Sequence, residues 1–145
     1  MLYLLRDPQD SLAQHLREDP VRPHIPLAVR LGVNRDIFLS RDQDQVRAIT
    51  CVSYAPSVPD SEVDLFSDAA PTVAVFYTIW SYAPGAGRAL IMEAVGHIQN
   101  NRHDINRFVT LSPKTEMARN FHIRNGAIIF RENTQTVNYE YIMGD

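Results

Sequence analysis

The chain has 145 residues, 45% of them hydrophobic and 21% charged, an ordinary globular composition with no segment biased enough to stay unfolded. That length suits one domain, 1–145, burying roughly two-thirds of its unfolded surface. Fourteen basic residues against 17 acidic ones, a net charge of −3, supply no positive field for a phosphate backbone and exclude nucleic acid as the expected partner.

The apolar start Met1 to Leu5 stops at Arg6, and no run approaches the roughly 18 residues of a membrane span, so the expectation is a cytoplasmic protein without a membrane partner. Cys51 has no second cysteine to pair with, and in a strand-like run it reads as a buried thiol. His15, His24, His97 and His103 are dispersed without ligand spacing, so no metal is expected.

In chain order, Leu2 to Leu5 can serve as an edge strand. Ser11 is a candidate N-cap for a helix through Leu12, Leu16 and Arg17, ended by Asp19-Pro20. Pro20, Pro23 and Pro26 then predict irregular chain or a short helical turn. Asp36 to Arg41 and Gln45 to Tyr54 read as two strands of an antiparallel hairpin around Asp42-Gln43-Asp44. The stretch from Ala55 to Pro71 is long for a compact domain and carries Asp60, Glu62, Asp64 and Asp68. It is expected to border a binding site, where its acids would attract a cationic amine or lie simply solvated.

Val73 to Trp80 is nearly continuous apolar and β-prone, as a central strand covered on both faces requires. From Gly87 to about Asn101 the period changes, and Leu90, Ile91, Ala94, Val95 and Ile98 form one helical stripe. Ile105 to Leu111 is another strand, Ser112-Pro113 has the form of a helix start, and Gly126 supplies the stop. Ala127 to Phe130 and Thr136 to Ile142 close the chain as a hairpin. The order β α β β β α β α β β predicts an α/β (α+β) fold, a mixed, largely antiparallel central sheet flanked by helices.

Tyr82-Ala83-Pro84-Gly85-Ala86-Gly87-Arg88-Ala89-Leu90 joins the most buried strand to the most amphipathic helix. Glycines at a helix N-terminus let backbone N–H groups approach an anion, which the helix dipole favours, so a diphosphate fits. A Walker loop is excluded because no Lys-Ser or Lys-Thr follows the second glycine. A dinucleotide fingerprint lacks its third small residue, which falls on Leu90, and the ribose-binding acid. Tight strand-to-helix packing is the bland alternative.

Val73 to Leu90 resembles motif A of the GNAT N-acetyltransferase superfamily, and Ala118 to Ala127 resembles its motif B. Gly85 and Gly87 match the two small positions of the family loop, whereas Tyr82 stands where Arg or Gln is usual. In motif B this chain offers Thr115, Ala118, Phe121, His122, Gly126 and Ala127. The resemblance spans roughly residues 45 to 142 and implies acetyl-CoA (coenzyme A) as cofactor. Ile79, Trp80, Tyr82, Gly85, Ala86, Gly87, Arg88, Ala89 and Thr115 would then surround it. It also implies direct attack by a primary amine, on a small molecule or a protein, with room for a homodimer.

On this alignment His122 replaces the family's general acid, a Tyr, and shares a helix face with Ala118 and Phe121. A core-facing His bonded to its neighbours is the competing reading. Val73 to Trp80 carries no acidic residue to act as base, which leaves Tyr77, Tyr54 or a water. The expectation is an N-acyltransferase, with a catalytically silent acyl-CoA-binding or interaction module of the same fold as the alternative.

Overall fold

The computed structural model describes residues 1–143. Eight strands make one sheet: β1 (Leu2–Leu5), β2 (Arg35–Asp42), β3 (Gln45–Ala55), β4 (Val73–Ser81), β5 (Arg107–Thr110), β6 (Ser112–Pro113), β7 (Ile128–Glu132) and β8 (Thr136–Tyr141). They lie in the order β1-β2-β3-β4-β5-β8-β6, with β7 on β8. Only β4 and β5 run parallel, because α2 (Ala86–Asn101) crosses over between them; every other pair is antiparallel.

Both faces of the sheet are covered, which is why β4 reads as a continuous apolar run rather than an alternation. On one face, Leu90, Ile91, Ala94, Val95 and Ile98 of α2 pack on Phe38, Val52, Tyr54, Ala74 and Phe76, and Tyr139 and Tyr141 extend that core toward α3 (Glu116–Arg124). The other face carries a 3-10 helix (Ser11–Glu18), the short α1 (Leu27–Arg30) and the loop after β3, packed on Ile37, Leu39, Ile49, Cys51, Val75 and Tyr77.

The sequence reading misplaces two helix starts. The first helix is capped by Asp10, whose carboxylate accepts the Leu12 N–H, and Ser11 is its first residue. Ser112-Pro113 does not open a helix. Ser112 turns its hydroxyl onto Thr110 at 2.8 Å, and Ser112 and Pro113 pair with Val137 and Thr136 of β8. A proline is tolerated in so short a strand at the sheet edge. The cap falls instead on Thr115, whose Oγ1 accepts the Ala118 N–H at 3.2 Å. Among the described residues no helix is long and apolar enough to cross a membrane.

Candidate functional site

β4 and β5 hold each other only as far as Phe76 opposite Thr110, with one further bond from Leu111 N–H to the Phe76 carbonyl at 3.1 Å. Beyond that point β4 continues on β3 to Ser81, whereas the chain after β5 turns away to β8. The sheet therefore forks. At the fork β4 carries a bulge: Cys51 pairs with Thr78 and Val52 with Phe76, so Tyr77 is an extra residue. Tyr82 N–H bonds the Arg47 carbonyl of β3. By strand alternation Trp80 and Thr78 then turn their backbone groups to β3, and Tyr77, Ile79 and Ser81 turn theirs into the fork. An extended ligand lying there would find a free strand edge.

The glycine loop stands at the open end of that strand. Gly85 takes φ +76°, a left-handed conformation that an unbranched, Cβ-free residue adopts without strain, and the space where its Cβ would stand is open. It caps α2 without a side chain. Ala86 N–H bonds the Ala83 carbonyl and Ala89 N–H that of Gly85, which leaves the N–H groups of Gly87 and Arg88 with no carbonyl partner. Unpaired donors at the positive end of a four-turn helix form an anion site. Gly87 is small for a different reason: a Cβ there would stand 3.2 Å from the Phe121 ring of α3. Packing explains the second glycine, and a left-handed backbone explains the first.

The two residues singled out for catalysis do not share a site. Tyr77 points into the core under the N-terminal segment, fully buried, with no partner for its hydroxyl. Burial raises its pKa, and a phenol so enclosed has no route for a proton it would take up. Tyr77 is a core residue. His122 lies on the opposite face, stacked on Tyr139 with ring centroids 5.0 Å apart and sharing a 2.7 Å hydrogen bond with the Tyr141 hydroxyl through Nδ1. Burial lowers its pKa to about 4, so the imidazole is neutral at pH 7 and lacks the second proton of an acid. That placement matches a satisfied core histidine joining α3 to β8.

Of the remaining predicted residues, Ile79 packs beside Gly87, and Ala86, Arg88 and Ala89 form the first turn of α2. Trp80 and Tyr82 turn their side chains to the other face, where Trp80 Nε1 donates to the Tyr82 hydroxyl at 3.0 Å and that hydroxyl donates to Glu18 at 2.5 Å. They tie the 3-10 helix to the strand end. Their backbone groups turn to β3, so neither residue faces the fork. Thr115 spends its hydroxyl on the α3 cap.

Sequence reading missed a network of the N-terminal segment that grips β4 at the bulge. Asp19, 2% exposed, accepts from Val21 N–H, Arg22 N–H, the Thr78 hydroxyl and Arg30 Nη1, all at 2.7–2.9 Å. Burial alone would raise its carboxyl, but these hydrogen bonds hold it below the ordinary range. Arg30 is fully buried and also bonds the carbonyls of Ile25 and Arg22 and the Cys51 sulfur. Burial pushes the Cys51 thiol up to about 11, so it stays protonated and unreactive. Arg22 then reaches the Tyr77 carbonyl through Nη1 and Glu62 Oε1 through Nε at 2.9 Å.

A cavity of about 540 Å³ opens beside this network, lined among others by Val21, Arg22, Glu62, Pro113 and Glu132. Arg22 is anchored on the β4 prong of the fork and Pro113 belongs to the other prong, so the cavity borders the gap between them. A second depression of about 400 Å³ lies away from the fork, between the 56–67 loop and Arg131. Neither includes the glycine loop. Among the described residues no three His, Cys, Asp or Glu side chains converge as metal ligands.

No family model and no curated protein matches this sequence. Solved structures do match its shape. Malonyl-CoA decarboxylase from Cupriavidus metallidurans superposes with a TM-score of 0.75 at 16% identity over 98% of this chain and 60% of that one. The N-acetyltransferase PseH of Campylobacter jejuni, in complex with acetyl coenzyme A, gives 0.62 at 11% identity over 99% and 100%. A Bacillus subtilis acetyltransferase in complex with CoA gives 0.62 at 10% over 96% and 93%. The chain spans between 36% and 60% of the length of the malonyl-CoA decarboxylases it matches, and nearly all of PseH. Its fold is the one shared by GNAT acetyltransferases and these decarboxylases.

Proposed function

We propose that this chain is an acetyl-CoA-dependent N-acyltransferase that passes the acetyl group directly to a primary amine. The observation that carries the reading is the pairing of the sheet fork with the unpaired N–H groups of Gly87 and Arg88 at the end of the same strand. The acetyltransferases of this fold solved with coenzyme A or acetyl coenzyme A support it. The open space over Gly85 and the unpaired donors fit a pyrophosphate, which Gly85, Ala86, Gly87 and Arg88 would hold. The free edge of β4 at Ile79 and Ser81 would take the amide-bearing arm and turn an N–H toward the thioester oxygen. When bound, the cofactor supplies an activated acyl carbon.

The second reading, a silent acyl-CoA-binding module, is favoured by the two buried side chains: neither Tyr77 nor a neutral His122 is presented to an incoming amine. One assay separates the two. Incubation with acetyl-CoA and a panel of primary amines (lysine, spermidine, tryptamine, phenylethylamine) releases free thiol above the no-amine rate if the chain is a transferase. Saturable acetyl-CoA binding without thiol release identifies a module.

A further inference from the structure

The 540 Å³ cavity and its wall define the other half of the reaction, on the assumption that the transferase reading above holds. Arg22 bonds the Tyr77 carbonyl, the extra residue of the bulge where the sheet parts, and with its other edge bonds Glu62 Oε1. Glu62 is therefore one guanidinium away from the fork. Its second oxygen, Oε2, accepts from His24 Nε2 at 2.6 Å. A carboxylate only accepts, so Nε2 carries the hydrogen of this bond and the carboxylate orients the ring.

These residues come from two segments that are 38 and 40 positions apart in sequence. The pairs are not a solvated accident of neighbouring charge: Arg22 is 6% exposed and is held on its far side by the Asp19 network. His24, by contrast, is 60% exposed and can exchange its proton with water. His24 thus adjoins the cavity through Glu62, which lines it, and Glu62 is held through Arg22 to the strand at the fork.

We propose that His24 is the general base for the acyl acceptor, that Glu62 and Arg22 position it, and that the cavity between Arg22 and Pro113 receives a primary alkylammonium. His24 Nδ1 takes one proton from the ammonium group. The neutral nitrogen then bonds the thioester carbonyl carbon as the carbon–sulfur bond breaks, and the sulfur keeps the electron pair. A second proton leaves nitrogen and ends on that sulfur. Amide and thiol are the products, and His24 returns its proton to solvent. Asp60, Glu62 and Glu132 in the cavity wall suit the cationic form in which such an amine arrives.

The test is His24→Ala, assayed with the amine of the lysine, spermidine, tryptamine and phenylethylamine panel that the unaltered chain turns over fastest. Turnover should fall about 100-fold or more, with melting temperature and acetyl-CoA affinity unchanged, because the side chain is exposed and away from the glycine loop. Added imidazole should restore part of the lost rate. Independently of turnover, titrating that amine into the unaltered protein should shift the His24 imidazole resonances, and Glu62→Gln should abolish the shift. Unchanged turnover in His24→Ala, no imidazole rescue, or an unmoved His24 signal would overturn this assignment while leaving the transferase reading intact. Thiol release from none of the amines would remove both.

Discussion

The two sides of β4 are built on opposite principles. On the α2 side the strand end presents backbone: two unpaired N–H groups, a free edge and open space over Gly85. On the N-terminal side it is gripped by side chains, with Asp19, Arg22 and Arg30 buried and satisfied by one another and by the carbonyls of Arg22, Ile25 and Tyr77. The first side is unfinished and the second is complete. A ligand completes an unfinished surface, whereas a completed network holds a shape, so the proposed cofactor site lies at the loop, and the buried Asp19–Arg30 network fixes the strand and the cavity wall beside it.

The sharpest break in that contrast is Asp19→Ala. It removes every partner that Asp19 gives Thr78, Val21 and Arg22 and leaves the Arg30 guanidinium buried without its counter-charge. Breaking one partner of such a pair costs about 3–5 kcal/mol, which urea unfolding will read directly. Replacing both Asp19 and Arg30 by apolar residues should recover much of that loss, because no charge is then left unpaired.

A smaller effect comes from the other face. The folded pKa of His122, about 4, lies below the ordinary imidazole value near 6.5. Between those values the unfolded chain binds the extra proton and the folded chain does not, so stability is full above about pH 6.5 and falls as pH drops toward 4. The span corresponds to roughly 3 kcal/mol. In His122→Phe this slope should disappear from unfolding curves measured between pH 7 and pH 4.5, and thiol release with an accepted amine should be retained in the folded variant.

How much was legible follows the same division. The glycine turn, the strand before it and the helix after it are local, and periodicity with glycine placement exposes all three. The hairpin of β2 and β3 was equally readable from its alternation. The grip on the bulge was not, because Arg22 meets Glu62 40 residues away and Tyr77 55 away, and no short-range pattern encodes such a meeting. The four acids of the long loop read alike as charges, and nothing local distinguishes Glu62, which bonds Arg22 and His24, from Asp60, Asp64 or Asp68. Ser112-Pro113 misled for a related reason: pairing with β8 outweighs a local cap preference, and Thr115 three residues on takes the cap. The bulge that turns two consecutive residues of β4 the same way was likewise invisible, since it is defined only against β3.

The two glycines differ in how a side chain would be received. Gly87→Asp would press on Phe121 and confuse binding with folding. Gly85→Asp meets no neighbouring atom, and although φ +76° strains any side chain there, Asp tolerates positive φ better than most residues. Its carboxylate would occupy the place proposed for the pyrophosphate. Isothermal titration of acetyl-CoA into the unaltered chain and into Gly85→Asp is therefore the most direct measurement: saturable binding by the former and an affinity lower by about tenfold or more in the latter, with the variant still folded at the temperature of the titration, is the predicted result. Equal affinity in the two proteins, or no binding by either, would contradict the assignment of this loop and fork as the acyl-CoA site.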